Sequence, residues 1–359
     1  TDKNNKATDE KRKFSFTIKG DVTRKGVSKA QKYNLYVVPY ASDEPGTGLI
    51  TYGNNKGCEK GTPIKVASLG KGETATVSDP SRGGYNFSSW VIKDADADES
   101  TYAYKGIRSS GSGAATIKGN VVTMGNRDTY LVAKWNVGTS AYKVNHWLQK
   151  IGGNGYELYK SKSITYNATT DTSVTPPVLS LDGFTSPSAV TKTVNGNGTT
   201  AIDYYYTRHY MTINYNVGHN DKKDKDGNYT AYAGFSETPH KGADNKFYKK
   251  GKDNLIYVSS TEKGEYSKLT TKVWYGSESM KIPNIETIGL NLAGYCASDI
   301  DTWKEINSSK KASELLCLSD KANAISSQVN AVKNLIKEKN IAMTVEANWE
   351  ANRYNLTLN

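Results

Sequence analysis

Four histidines, His146, His209, His219 and His240, and two acidic runs are the residues from which this chain could do chemistry. A histidine works as a general base only with a nucleophile or an acid in reach, and as a zinc ligand only within a set of three or four. None of the four has HExxH or H-x-H spacing, and none pairs with a Ser or Cys in a nucleophile elbow. His146 lies in "YKVNHWLQ", where polar and apolar residues alternate ahead of a Gly-Asn-Gly turn. That pattern makes it a strand position facing a hairpin partner, and no catalytic residue is assigned.

The acidic runs "DADADES" (94–100) and "HNDKKDKDGNY" (219–229) place carboxylates at alternate positions, as calcium loops do. With Gly227 as the sixth loop residue, Asp224 and Asp226 fit, but Lys222 stands at the first position and Ala233 at the twelfth. Asp94, Asp96 and Asp98 lack the glycine, and Lys105 falls at the twelfth position. Both runs read as solvated loops without metal. "SSGSGAATIKGN" lacks the order of a phosphate-binding loop, and no spaced carboxylate pair stands out among the 36 acids. The expectation is a chain that is not an enzyme and carries no cofactor.

The elements that hold these residues are mostly strands. At 359 residues the chain has room for two to four domains. Its 25 tyrosines and 32 glycines suit half-buried strands and turns better than long helices. A net charge of +11 draws it to polyanions, yet it has no Arg-rich helix, zinc-finger spacing or RNA-recognition signature, so nucleic acid is not an expected partner. No stretch resembles a signal peptide, membrane span or sorting tail, and membrane insertion is not expected. Strand-like text at both ends reads as a fragment of a longer protein. Cys58, Cys296 and Cys317 lack CxxC spacing; Cys296 and Cys317 either pair or stay as thiols.

The chain also repeats itself. "DTYLVAKWN" (128–136) and "AMTVEANWE" (342–350) share an Ala-x-Trp strand end, and "GGYNFSSW" (83–90) matches "AGYCASDIDTW" (293–303). Trp90 thus precedes Trp135 much as Trp303 precedes Trp349, and "KYNLYVVPY" (32–40), "YMTINYNV" (210–217) and "RYNLTLN" (353–359) open successive copies. The expected order is a basic segment at 1–32, copy one at 33–138, a β module at 139–209, copy two at 210–351, and the start of a further repeat at 352–359. The β module should hold a hairpin across "IGGNGYEL", a turn at Asp182-Gly183, and a second hairpin around Asn195–Gly198. Copy two carries a helix near 319–339, capped by Ser319, with Ala322, Ile325, Val329, Val332 and Ile336 on one face, and "TWKEINSSKKASELLCLS" before it reads as a further turn or two.

Residues common to both copies are explained by the fold, whereas aromatics unique to one copy can serve a ligand. Tyr102 and Tyr104 in copy one qualify, as do Tyr229, Tyr232, Tyr248, Tyr257, Trp274 and Tyr275 in copy two. Tyr and Trp give large contact area at low entropy cost. Tyr204, Tyr205 and Tyr206 on one strand must point to both of its faces, and packing across strands accounts for them.

Gly84, Tyr85, Trp90, Ala133 and Trp135, and again Gly294, Tyr295, Trp303, Ala347 and Trp349, resemble the signature of the internalin-type B-repeat, also called the Listeria-Bacteroides repeat. Residues 139–209 look like the mucin-binding-protein-like module found beside such repeats in surface proteins of Gram-positive gut bacteria. The resemblance implies an α+β, mainly β chain of tandem β-grasp-like repeats separated by a small β-rich module, in an elongated multi-domain arrangement. It further implies a monomeric adhesin on the bacterial cell wall, outside the cell, that binds a secreted host protein. Immunoglobulin is the first candidate, and mucin or matrix glycoprotein the second. The competing readings are a structural stalk without a ligand and a glycan-binding module steered by basic charge.

Overall fold

Alternation in "KYNLYVV" turns Leu35 and Val37 to one face, and both are fully buried in strand β1 (Lys32–Val38). The computed structural model describes residues 30–94, 113–218, 225, 235–291, 295–297, 302–306, 309–311, 314–319 and 325–351. The chain is mainly β, and it divides into two units. One comprises Thr1–Lys143, Thr165–Val174 and Thr191–Ala201, the other Val144–Ile164, Thr175–Val190 and Ile202–Asn359.

In the first unit, β1, β2 (Ile64–Gly70), β3 (Tyr85–Asp94) and β4 (Thr129–Val137) lie in the order β2-β1-β4-β3, with β1 and β4 parallel and the other pairs antiparallel. Ser81–Arg82, Ile50–Tyr52 and Asn55–Lys56 continue this sheet beyond β3. Ala133 stands opposite Trp90, and after a bulge Trp135 stands opposite Phe87. Trp90 is buried with Leu35, Val37, Ile92, Leu131 and Ala133, and Val122 from a small three-stranded sheet completes the core. An alanine opposite the indole leaves that large ring room within the sheet's face.

The middle of the chain forms β5 (Thr139–Gln149), β6 (Tyr156–Leu158), β7 (Ile164–Thr169), β8 (Phe184–Thr185) and β9 (Thr200–Arg208), ordered β6-β5-β9-β8 with β7 also on β5. The expected β5–β6 hairpin is present, with Trp147 opposite Leu158. The expected hairpin around Asn195–Gly198 is not: Lys192–Thr193 pairs with Ser173–Val174 instead. The turn itself closes, through the Gly198 amide on the Asn195 carbonyl. Its two flanks part because the 11-residue β5 offers β9 a long ladder where Lys192–Thr193 offers 2 residues.

Copy two rebuilds the four-stranded arrangement from β10 (Tyr210–Asn216), β11 (His240–Lys241), β12 (Phe247–Lys250), β13 (Ile256–Ser259), β14 (Ser267–Lys268), β15 (Thr270–Trp274), α1 (Ile285–Ile288), β16 (Tyr295–Ala297), β17 (Trp303–Glu305), β18 (Cys317–Leu318), α2 (Ile325–Leu335), β19 (Ile341–Ala347) and β20 (Trp349–Ala351). Its main sheet runs β15-β10-β19-β17-β18, with β10 and β19 parallel, so the order of copy one recurs. Ala347 stands opposite Trp303, as Ala133 does opposite Trp90. Trp349 and Ala351 face Ala297 and Tyr295, matching Trp135 and Val137 against Phe87 and Tyr85.

The described helix begins at Ile325, and residues 320–324 lie outside the described residues. Val329, Val332 and Ile336 bury against Met211, Ile213 and Trp303 as the periodicity predicts. The stretch "TWKEINSSKKASELLCLS", expected to hold a further turn or two, has one tight helical turn, with the Glu314 amide on the Lys311 carbonyl at 2.9 Å, and its two ends supply the paired strands β17 and β18, with Trp303 opposite Leu318. Its Trp303 must sit in the sheet opposite Ala347, and that requirement overrides local helix preference. Between β10 and β15, copy two inserts the antiparallel meander β11-β12-β13-β14, which adds Tyr248 and Ile256 to the core. Among the described residues, no helix is long and apolar enough to cross a membrane. The Cys296 side chain, and with it the alternative between a pair with Cys317 and two thiols, lies outside the described residues.

Candidate functional site

The inserted meander folds around a tight turn. The Gly251 amide bonds the Leu255 carbonyl at 2.9 Å and the Asn254 amide bonds the Gly251 carbonyl at 3.0 Å, with Asn254 left-handed at φ 60. A side chain at Gly251 would overlap the Tyr257 ring and crowd the Asp253 carboxylate. Glycine is therefore required where the turn lies against β13.

This turn and the 261–266 loop border an open cleft of about 620 Å³, within the range of small-ligand sites. Its walls carry Lys249, Lys250, Lys252, Tyr257 and Tyr266, with Glu237 and Asp253 as the acids. Lys249 stands opposite Tyr257 in the ladder, and its ammonium lies 4.5 Å from the centre of the Tyr266 ring. The Tyr266 hydroxyl donates to the Glu262 carbonyl at 2.9 Å. Asp253 is held by Lys268 at 3.0 Å, by the Tyr257 hydroxyl at 3.1 Å and by the Leu255 amide at 3.3 Å. Burial pushes the Asp253 carboxyl up, but hydrogen bonds from Lys268, Leu255 and Tyr257 and the Lys268 charge outweigh it and hold the pKa below the ordinary value. Asp253 is thus an anion already matched by its own lysine. Lys252 is exposed and pairs with no described residue, so the cleft keeps an excess of positive charge.

Of the aromatics singled out from the sequence, Tyr257 alone among the described ones lines this cleft. Tyr102, Tyr104, Tyr229 and Tyr232 lie outside the described residues. Tyr248 is 2% exposed, its hydroxyl donating to Asp244 at 2.9 Å; burial and that carboxylate both push its pKa up. Trp274 is half-buried against Tyr210, ring centres 4.9 Å apart. Tyr275 is half-buried beside Phe184 and Gly183, with the Lys333 ammonium 5.4 Å from its ring centre. Sequence reasoning missed Lys249, Lys252 and Tyr266. The signal was in "FYKKGKDNLIY" (247–257), a knot of lysines around a glycine turn confined to the copy-two insertion.

His146 stands in β5 as its alternation predicts, buried, with Nδ1 hydrogen-bonded to the Tyr206 hydroxyl at 2.8 Å. The Leu179 amide donates to the same Tyr206 oxygen at 2.9 Å, and burial lowers the histidine's pKa. Tyr204 and Tyr206 are fully buried, whereas Tyr205 is 48% exposed and stacks on Trp147 at 6.1 Å with Tyr156 edge-on at 5.0 Å. Asp203 anchors this second aromatic surface by accepting from the Trp147 indole at 2.8 Å. The acidic runs weighed as calcium loops fall almost wholly outside the described residues, among which no group of His, Cys, Asp and Glu is arranged to hold a metal ion.

No protein-family model matches the chain, and no curated protein matches it. Among solved structures the chain is similar to the Bacillus anthracis TIE protein, at 9% identity and a TM-score of 0.26, over 89% of this chain and 51% of that one. The chain thus spans about half the length of that structure.

Proposed function

We propose that this chain is a non-enzymatic part of a bacterial surface adhesin, its tandem β-grasp-like repeats strung along the cell wall exterior of a Gram-positive organism. It holds a secreted host macromolecule, immunoglobulin the first candidate and mucin or matrix glycoprotein the second. The β-grasp reading draws support from the mixed sheet with a parallel central pair, present in both copies, and from α2 packed on it in copy two. One observation carries the functional reading. The same strand order is built twice, and among the described residues only copy two adds a four-stranded meander with a basic, tyrosine-lined cleft. A spacer needs no such addition.

The test is capture from intestinal secretion and serum on the immobilised whole chain, read by mass spectrometry. Immunoglobulin or a mucin as the dominant species supports an adhesin. Beads that stay empty at low salt sink it and leave a stalk.

A further inference from the structure

We infer that the cleft of the β11–β14 meander binds an acidic saccharide, a sugar bearing a carboxylate or sulfate, seated between the Lys249 and Lys252 ammonium groups and the tyrosine walls. The inference rests on the adhesin reading and names the chemistry of its ligand. Charge is the first argument. Asp253 is matched by Lys268, and neither Lys249 nor Lys252 is paired with a carboxylate among the described residues, so an anion entering the cleft meets uncompensated positive charge. The second is preorganisation: Lys249 is already poised over the Tyr266 ring, so less ordering remains to be done when a ligand arrives. The third is shape. About 620 Å³ accommodates a sugar ring with its neighbour, and tyrosine supplies rigid amphipathic contact.

An acidic peptide is the less suited ligand. The lining strands β12 and β13 are both interior to the meander, β12 between β11 and β13 and β13 between β12 and β14. β11 pairs β12 at Phe247 and Tyr248, and beyond it the Lys250 amide already bonds the Ser236 carbonyl at 2.8 Å, so little backbone is left along the cleft for an extended chain to join.

Titration calorimetry of the whole chain with 3′-sialyllactose, a sulfated chondroitin disaccharide, neutral lactose and a hexaglutamate peptide tests the inference. One or both acidic sugars should bind and lactose should not, and which one binds separates a carboxylate source from a sulfate source. Lys249→Ala and Lys252→Ala should each weaken binding about tenfold, the loss of one charge-assisted contact. Lys252 is exposed and pairs with no described residue, so its substitution keeps the fold. Absence of binding by either acidic sugar, binding unchanged in both variants, or binding of the peptide alone would overturn the inference. Host protein captured by beads when no sugar binds rejects the ligand class and spares the adhesin. Sugar bound by a chain that captures nothing does the reverse.

Discussion

The two mid-repeat tryptophans occupy the same place in their sheets but differ at one atom, and that difference sets what each contributes. Trp303 is fully buried with its indole N–H donating to the Pro283 carbonyl at 2.9 Å, whereas the buried Trp90 indole nitrogen has no partner among the described residues. Replacing either by Phe removes part of a ring whose complete truncation costs about 3–5 kcal/mol, so the shared packing loss is about 1–2 kcal/mol. Trp303→Phe also orphans the Pro283 carbonyl, which adds about 1–3 kcal/mol. Trp90→Phe instead removes an unpaired buried donor and regains about as much as it loses. The two variants should therefore differ by about 3 kcal/mol. Because the units need not unfold together, a single melting curve is the wrong assay. Native-state hydrogen exchange is the right one, with amides of β4 reporting copy one and those of β19 copy two. Exchange from β19 in Trp303→Phe should accelerate about a hundredfold, and exchange from β4 in Trp90→Phe should barely change. Equal acceleration in both, or the larger effect in Trp90→Phe, would refute the idea that the indole partner decides the cost.

Gly183 is left-handed at φ 76 and a side chain there would fall inside the Tyr275 ring, so Gly183→Ala should cost more than about 2 kcal/mol by exchange from β10. Gly198→Ala, at φ 71 with the Ala141 oxygen 4.0 Å away as its nearest neighbour, should cost only the strain of about 1 kcal/mol. Asp171 accepts from the Thr47 amide and hydroxyl and from the Tyr85 hydroxyl; burial pushes its carboxyl up, but these bonds and the Arg82 charge prevail and hold it below the ordinary value. A depressed carboxyl stabilises above its unfolded pKa of about 3.9 and is lost as pH falls through the folded one, so Asp171→Asn should lower stability at neutral pH and flatten the acid limb of urea midpoints. Burial and the Asp171 bond push Tyr85 up to about 12, so its contribution is present below about pH 10 and fades as pH rises towards 12, a fade that Tyr85→Phe should abolish in alkaline melts. His146 is depressed by burial, hence stabilising above its unfolded pKa of about 6.5 and lost as pH falls through its lower folded pKa; His146→Gln should remove that part of the decline as pH falls below about 6.5.

What was legible in the sequence is what a large buried ring fixes. Trp90 and Trp303 tolerate only a small residue opposite, and alternation then dictates Ala133 and Ala347 two positions before Trp135 and Trp349. Two copies of that constraint leave a pattern that survives the insertions. What was not legible is partner choice. Lys192–Thr193 pairs with Ser173–Val174 because a longer strand competes for β9, and no local signal records that contest. The same holds for β17 and β18, the two ends of a segment that reads as turns: its middle keeps a helical turn at 311–314, while Trp303 is drawn into the sheet opposite Ala347. Gly84 was visible as a motif residue, but its reason, a close approach to Ser140, Thr170 and Gly196, emerges only in three dimensions.

The aromatics of copy two show why uniqueness to one copy is too weak a criterion for a binding residue. An inserted sheet must itself be packed, and it recruits its own aromatic side chains to do so. Tyr248 buries its ring in the core and gives its hydroxyl to Asp244, and Trp274 and Tyr275 rest on Tyr210 and Phe184. Each is as specific to its copy as Tyr257, yet each is engaged by the fold. Residues available to a ligand must be unique to a copy and also keep contact capacity that the fold leaves unused. Lys252 meets that condition fully and Lys249 nearly so, because its ammonium rests on a ring and is not neutralised by a carboxylate. Lys249 leads into the turn that Gly251 makes possible and Lys252 lies within it. Gly251→Ala should therefore impair ligand binding by displacing the Tyr257 ring while both lysines remain, an outcome that hydrogen exchange at β12 and β13 would separate from loss of the fold.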